Sequence, residues 1–501
     1  MIRNKKYLLI YTALLVFFSI WFLVPNNFQN VELAVGLFIV LLVIGVVSIS
    51  YYSVNENSLH KVAFVIILLF GIAFVFVSPI NDISDEVEHT VRSEILSEGD
   101  LQPDYVLIPN TDVYNYKTIN SIVDLAELRG VNVLSTDVDN SKIDYGDNYF
   151  NSAFAQNPFY AYLAPAIGMI VAKLLDLNAI WLLWMGRIFN LLLYSAVVAI
   201  AIKKAPVFKF PLMIVGIIPL AIYQGASTSA DCFFNAFAIL ALAYFFVLFK
   251  SERIRYLDLG IFYGSIILCG LLKPPYLALA LLIFLVPKVN FKNSKQNILS
   301  KIAIIAVLLV GIGWSSYSTA HIHNSWRADY FLANNVNSTQ QLSFVLANPL
   351  FDVWYFFDTF LNIPTITYRL FNFSNGPLSY YSSLLTYLYS IFFVVLALFY
   401  PIRENISKAN RIKASAIAII IYVGVFFVQY LTWVPVGSAK IVSGVMGRYF
   451  IPLLVFLPFI FNLNSDRFEK ERFKTLYVTL AVSFIAAVLM LTLSVKYSMI
   501  A

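Results

Sequence analysis

The chain is predicted to be an all-α polytopic membrane protein with about 13 transmembrane helices, each needing about 20 residues. Three observations carry that prediction. Hydrophobic residues make up 60% of its 501 residues. Charged residues make up only 12%, where soluble domains carry about 25%. Continuous apolar runs of span length recur from end to end, and mean hydropathy is +0.77. A membrane barrel would instead alternate apolar and polar residues in short strands. The net charge of +6 does not point to nucleic acid, because Lys and Arg gather in short clusters between the runs, where orientation signals belong. Cys232 and Cys269 lie in or beside the runs and give neither a disulfide framework nor metal-ligand spacing.

The chain opens on "MIRNKKYLLIYTALLVFFSIWFLVP". Basic residues precede an apolar stretch without a small-residue cleavage site, so it reads as a retained first span rather than a signal peptide. The remaining runs fall near 31–52, 61–80, 158–175, 179–202, 210–226, 232–249, 256–272, 274–288, 301–319, 380–400, 414–433, 449–463 and 475–495. Lys, Asn and Ile usage reads as bacterial, and the bilayer as the plasma membrane.

The run at 158–175 decides the topology. Arg3, Lys5 and Lys6 place the N-terminus inside, so the third run exits outward at Ser78 and 81–157 is external. If 158–175 crossed, the basic clusters "KKAPVFK", "KSERIR", "KVNFKNSKQNILSK", "IRENISKANRIK" and "DRFEKERFK" would all lie outside. If it is re-entrant or interfacial, all five lie inside. Its two prolines and a lysine favour the second case. The expected layout has a cytoplasmic N-terminus, an extracytoplasmic C-terminus, and external loops at 81–157 and 320–379. Residues 1–60 read as an extra hairpin, 61–465 as the core and 466–501 as a closing helix. The polar segments "SDEVEH", "YQGASTSAD", "LLKPPY", "HIHNSWRADY" and "WVPVGSAKIVSGVMGRY" then share the external side.

Four carboxylates and a histidine crowd the exit of the third run, in "VSPINDISDEVEHTVRSEILSEGD". Ser84 suits an N-cap, Asp85 and Glu86 the first turn of a helix over 85–98, and Gly99 its stop. Asp85, Glu88, His89 and Arg92 share one face by spacing, and Glu86 points elsewhere. Two readings stand. The acids cap a helix and solvate its face, or one is a general base held at the membrane surface, with His89 orienting it or taking a proton.

"SDEVEHTVRSEILSEGDL" resembles the signature of domain-of-unknown-function family 2142, a bacterial membrane family. "NPFYAYLAPAIGMIVAKLL", "GRIFNLLLY", "STSADCFFNAFA", "LLKPPY" and "GVMGRYFIPL" resemble further segments of that family in the same order. The resemblance runs from about residue 70 to 465, leaving the first two spans as the extra hairpin. The family's layout is similar to the GT-C class of membrane glycosyltransferases. Those enzymes carry an acidic residue, often an Asp-Glu pair, in the first large external loop and use polyprenyl-phosphate sugars. The resemblance implies Asp85 as the base and Glu86 as its neighbour. Here the acidic loop follows the third span rather than the first.

The remaining charges admit two readings each. Arg187 lies within an apolar run, where an ionisable residue is either functional or paired, with Asp231 as a candidate partner. Asp231 itself either caps the following helix or lines the site. Lys273 snorkels or contacts phosphate. Arg448, after Gly444 and Gly447, suits bidentate phosphate recognition, with Tyr449 beside it, or the pair anchors the interface. "HIH" at 321–323 lacks the context of a zinc site. A divalent cation, Mg or Mn, bridging a carboxylate and a donor phosphate is allowed but demanded by no motif. The stretch 351–371 reads as an interfacial amphipathic helix.

The expectation is therefore a membrane glycosyltransferase. It transfers a sugar from a polyprenyl-phosphate donor to a surface glycan acceptor, with Asp85, Glu86 and His89 catalytic. Arg448, Lys273, Arg187, Asp231 and Tyr449 hold substrate or phosphate. The alternative is a transporter, flippase or polymerase of a lipid-linked glycan. The absence of matched interrupted spans in two halves weakens the transporter form.

Overall fold

The structure, a computed structural model, describes residues 5–26, 28–52, 55–133, 140–321, 331–351, 354, 383–401, 406–438, 445–461 and 466–497. The chain starts with α1 (Lys5–Leu23), α2 (Val31–Tyr51) and α3 (Leu59–Val77). It then leaves the bundle and builds a cap. The cap contains α4 (Glu86–Ser97), β1 (Tyr105–Leu107), β2 (Tyr114–Ile119), α5 (Asn120–Glu127), β3 (Asp147–Phe150), a 3₁₀ turn at Phe159–Tyr162 and α6 (Leu163–Leu174). The bundle resumes with α7 (Ile180–Lys204), the broken pair α8 (Lys209–Gly216) and α9 (Pro219–Gly225), α10 (Ala230–Lys250) and α11 (Tyr256–Gly270). A 3₁₀ run at Pro274–Leu285 leads to α12 (Ser294–His321). The later helices are Ser338–Ala347, Ser383–Phe399, Lys408–Trp433, a 3₁₀ run at Gly447–Val455 continued by Phe456–Phe461, and Glu471–Lys496.

Side-chain contacts sort the segment ends into two groups. At one end Tyr7 donates to the Arg472 carbonyl at 3.1 Å and Lys474 meets Glu56 at 3.7 Å. Arg411 donates to the Ile460 carbonyl at 2.7 Å, and Ile254 N–H to the Asn290 carbonyl at 2.8 Å. Phe459 packs on Phe249 and Phe208, joining these contacts into one layer. The five basic clusters therefore gather at one end of the bundle together with Lys5 and Lys6. The cap sits at the other end. There Lys496 pairs with Asp82 at 2.9 Å, Asn26 donates to Ser494 at 2.7 Å and Tyr317 to Gln102 at 2.9 Å.

Eight helices are long and apolar enough to cross a membrane. Among the described residues five shorter passes complete the bundle: α8 with α9, α11, the Pro274–Leu285 run, Ser383–Phe399, and the Gly447–Val455 run with Phe456–Phe461. Of the expected thirteen, eight are therefore long enough to cross, and the other five are shorter segments of the bundle.

The run at 158–175 does not join the two ends. Helix α6 has 12 residues and the 3₁₀ turn before it 4, and the position of its two ends decides the matter. Both of its ends belong to the cap. Asn157 precedes it, and just after it Ala179 N–H donates to the Ser141 carbonyl at 2.8 Å while Lys142 bonds Asp176 at 2.9 Å. Along its length α6 lies on α7 so closely that a Cβ on Gly168 would stand 2.2 Å from the Met185 carbonyl oxygen. Small residues permit this approach of two backbones.

The cap departs from the expectation in three ways. It holds a three-stranded antiparallel sheet in the order β1-β2-β3, which fits the strand-like alternation of "YNYKTI" but was not anticipated. Helix α4 is not a solvated surface helix, because Glu86, His89, Thr90, Arg92, Ser93 and Glu94 are all buried. Its polar groups find partners instead: Thr90 bonds Asn81 at 2.8 Å, and Glu94 accepts from Thr118 at 2.6 Å and Lys173 at 3.0 Å. Finally, Ser84 is not its N-cap. Asp85 holds that position in the left-handed region, φ 61, and makes no capping bond. Gly99 ends the helix at φ 105, as the sequence indicates.

Candidate functional site: a charged cavity beneath the cap

The left-handed backbone at Asp85 turns two adjacent carboxylates in opposite directions. Glu86, in the first turn of α4, faces the bundle. It accepts from Arg187 Nε at 2.8 Å and Nη2 at 2.7 Å, and from the Thr228 N–H at 3.3 Å. The other donors of Arg187 reach the carbonyls of Val75 and Ser78 at 3.0 Å and Pro79 at 2.7 Å. Both side chains have no solvent exposure. Arg187 is thus partnered by Glu86, not by Asp231, and it pins the end of α3 to α4. Neither residue lines the cavity described next, so the structure sets Glu86 and Arg187 apart from the other six candidate residues.

Asp85 faces the other way, into a cavity of about 490 Å³. Asp85, His89, Asp231, Lys273, Arg448 and Tyr449 all line it. Four separate elements deliver them. Asp231 lies in the first turn of α10, where the helix N-terminus favours an anion. Lys273 precedes the Pro274–Leu285 run, and Arg448 and Tyr449 open the Gly447–Val455 run. Both long 3₁₀ runs therefore begin at the cavity. Such runs are uncommon and mark strain or function.

Arg448 organises the charges. Its Nε bonds Asp231, and its Nη2 donates to Asp85 at 2.9 Å. Its Nη1 is buried without a hydrogen-bond partner. Lys273 stands 3.3 Å from Asp231 and 3.9 Å from the Tyr449 ring centroid. The two carboxylates differ: Asp231 is held by two cations at 7% side-chain exposure, whereas Asp85 has one partner at 44%. The Arg448 guanidinium occupies the position between the carboxylates, so the divalent cation allowed by the sequence does not fit this donor set as arranged. His89 lies deeper, 4% exposed, and burial pushes its imidazole down to about 4.

The sequence did not single out the remaining wall. Phe154, Gln156 and Asn157 come from the cap, and Gln429 and Trp433 from the Lys408–Trp433 helix. Asn157 stands at the head of the quoted "NPFYAY" segment, which was the available signal. The histidine pair at 321–323 and the stretch 351–371 fall outside the described side chains, apart from Phe351 and Trp354.

Fold and cavity define a polytopic α-helical membrane protein with a charged, ligand-sized cavity between bundle and cap. The family described as "Predicted membrane protein (DUF2142)" matches residues 68–457, and the chain belongs to that family. No curated protein and no solved structure matches the chain. Helices α1, α2 and Glu471–Lys496 lie outside the family match. They pack on one another: Tyr11 donates to the Leu41 carbonyl at 2.6 Å and Ser494 to the Phe22 carbonyl at 2.7 Å.

Proposed function

We propose that the protein is a membrane glycosyltransferase of GT-C type. It would take a sugar from a polyprenyl-phosphate donor and pass it to a cell-envelope glycan on the extracytoplasmic side. The observation that carries this reading is the meeting of Asp85 and Arg448 in one cavity, with a guanidinium nitrogen of Arg448 unused. Arginine presents a planar fork suited to phosphate oxygens, and Lys273 adds a point charge. The donor phosphate lies against these two cations. Asp85 accepts the proton of an acceptor hydroxyl, the hydroxyl oxygen bonds to the anomeric carbon, and the bond from that carbon to the phosphate oxygen breaks. Polyprenyl phosphate leaves, and the configuration at the sugar inverts. Asp231 is the fixed counter-charge that keeps the two cations in place.

A transport reading calls for a polar path through the bundle. Arg187, the ionisable group that suggested one, is closed off by Glu86 and three carbonyls, which weighs against it. The test is transfer by the purified full chain in bilayers. Asp85→Asn lowers turnover by at least about 100-fold, the range of a lost general base, while polyprenyl phosphate still binds. Undiminished transfer by a folded Asp85→Asn protein rejects the assignment.

A further inference from the structure

Beside the charged groups the cavity wall carries a second set of polar side chains, His89, Gln156 and Asn157. Its centre is His89. The imidazole Nδ1 lies 2.8 Å from the Tyr162 hydroxyl, and the same hydroxyl accepts from the Asn157 side-chain amide at 2.8 Å. Tyr162 is fully buried. With the amide as donor, the single phenolic proton has one acceptor within reach, His89 Nδ1. The proton of the neutral ring therefore sits on Nε2, the nitrogen with no protein partner among the described residues. Phe154 packs on the imidazole at 4.8 Å between ring centroids. It does so from a left-handed backbone, φ 39, a costly conformation for a bulky residue that accompanies functional constraint. Two residues on, Gln156 lines the same cavity, and its Oε1 is buried with no hydrogen-bond partner.

We infer that His89 and Gln156 form a hydroxyl-binding subsite for the uncharged sugar of the ligand, with the imidazole locked as an Nε2–H donor by Tyr162 and Asn157. A hydroxyl both accepts and donates, so one ligand hydroxyl meets the Nε2–H and the Gln156 carbonyl oxygen. A buried site built to bond a hydroxyl discriminates against ligands lacking it, because its own polar groups are otherwise left unpaired. His89 is on this view a recognition residue rather than an acid or base. Asp231, Asp85, Arg448 and Lys273 act on it electrostatically from the charged side, with Tyr162 and the Arg92 guanidinium behind it. The inference deepens the proposed function and rests on it for the identity of the ligand.

Two measurements separate the inference from that reading. The first needs no substrate. Nitrogen-15 spectra of the full chain labelled on histidine, with His89 assigned by difference from His89→Gln, report the ring directly. The expected result is a neutral ring protonated on Nε2 from about pH 6 to about pH 8, with Tyr162→Phe mixing the two tautomers. An imidazolium, or a ring protonated on Nδ1, overturns the inference. The second compares binding of polyprenyl phosphate with that of a polyprenyl-phosphate hexose in nanodiscs. Gln156→Leu and His89→Phe each weaken the hexose lipid about tenfold and leave polyprenyl phosphate unchanged. Equal weakening of both lipids overturns the subsite. If the unaltered protein binds neither lipid, the donor class under the proposed function fails, and the spectrum alone decides the state of His89.

Discussion

Asp85 and Glu86 are neighbours in sequence and belong to different structures. Glu86 closes a buried ion pair with Arg187, and Asp85 opens into the cavity. Helical spacing put Asp85 on one face with His89 and turned Glu86 elsewhere, as the structure has them, but it did not give Asp85 its backbone conformation. The sequence reading placed Asp85 inside the helix, whereas it stands at the N-cap with a φ of 61. The motif spacing also marked Arg448 and Lys273, yet left their relation to Asp231 open, because three charges from three distant segments meet only through the fold. Gln156 and Tyr162 were unremarked because neutral polar residues near prolines are ordinary in loops. At this scale the buried pair makes a clear prediction. Removing one partner leaves an uncompensated buried charge, so Arg187→Leu or Glu86→Leu costs about 3–5 kcal/mol of stability. The double replacement recovers most of that loss. Thermal unfolding of the three purified variants measures it. Equal stability of all three would show that the pair is not the structural tie between α3 and α4.

Element lengths carried much of the fold. Long apolar runs gave helices at each expected place, and the short ones were harder to read because length alone does not tell a 3₁₀ pass from a half-helix. The Pro274–Leu285 run shows why. Its 12 residues reach about 24 Å at the 3₁₀ rise of about 2.0 Å, against about 18 Å as α-helix. Pro274 and Pro275 supply no amide hydrogens to a regular helix and sit where the chain leaves the cavity. The run 210–226 reads as one span, yet it breaks into α8 and α9 just ahead of Pro219. The sheet of the cap was missed because its strands have only 3, 6 and 4 residues and lie in a polar segment. Helix α6 supplies the prediction for this scale. A methyl group at Gly168 meets the Met185 carbonyl, a backbone atom that cannot turn aside. Gly168→Ala therefore costs about 1–3 kcal/mol, the usual range for overpacking. Thermal unfolding checks this, and an unchanged midpoint would mean that α6 rides loosely on α7.

For the whole molecule, the distribution of basic clusters proved the most informative feature of the sequence. It required 158–175 not to cross, and the structure gathers the same clusters at one end with the cap at the other. Under the proposed function the cap and the cavity face the extracytoplasmic side, the orientation that the positive-inside rule predicts. Cys232 and Cys269 are buried, so single introduced cysteines report orientation against a quiet background. Asn110→Cys in the cap reacts with an impermeant thiol reagent in intact cells. Glu252→Cys, between α10 and α11, reacts only after the membrane is opened. The reverse pattern would place the cavity in the cytoplasm and remove the extracytoplasmic acceptor.

The pairing of Lys496 with Asp82 has a consequence for how the protein is made. Asp82 belongs to the loop that presents Asp85, and Lys496 closes the Glu471–Lys496 helix, which follows every other described helix in the chain. During translation the loop emerges some four hundred residues before its anchor does, so the newborn polypeptide must hold an unfinished site through most of its insertion into the bilayer. The Asp82 loop is tied down only when Glu471–Lys496 packs against the opening hairpin and α3, so the anchor of this loop is the last described helix to be made.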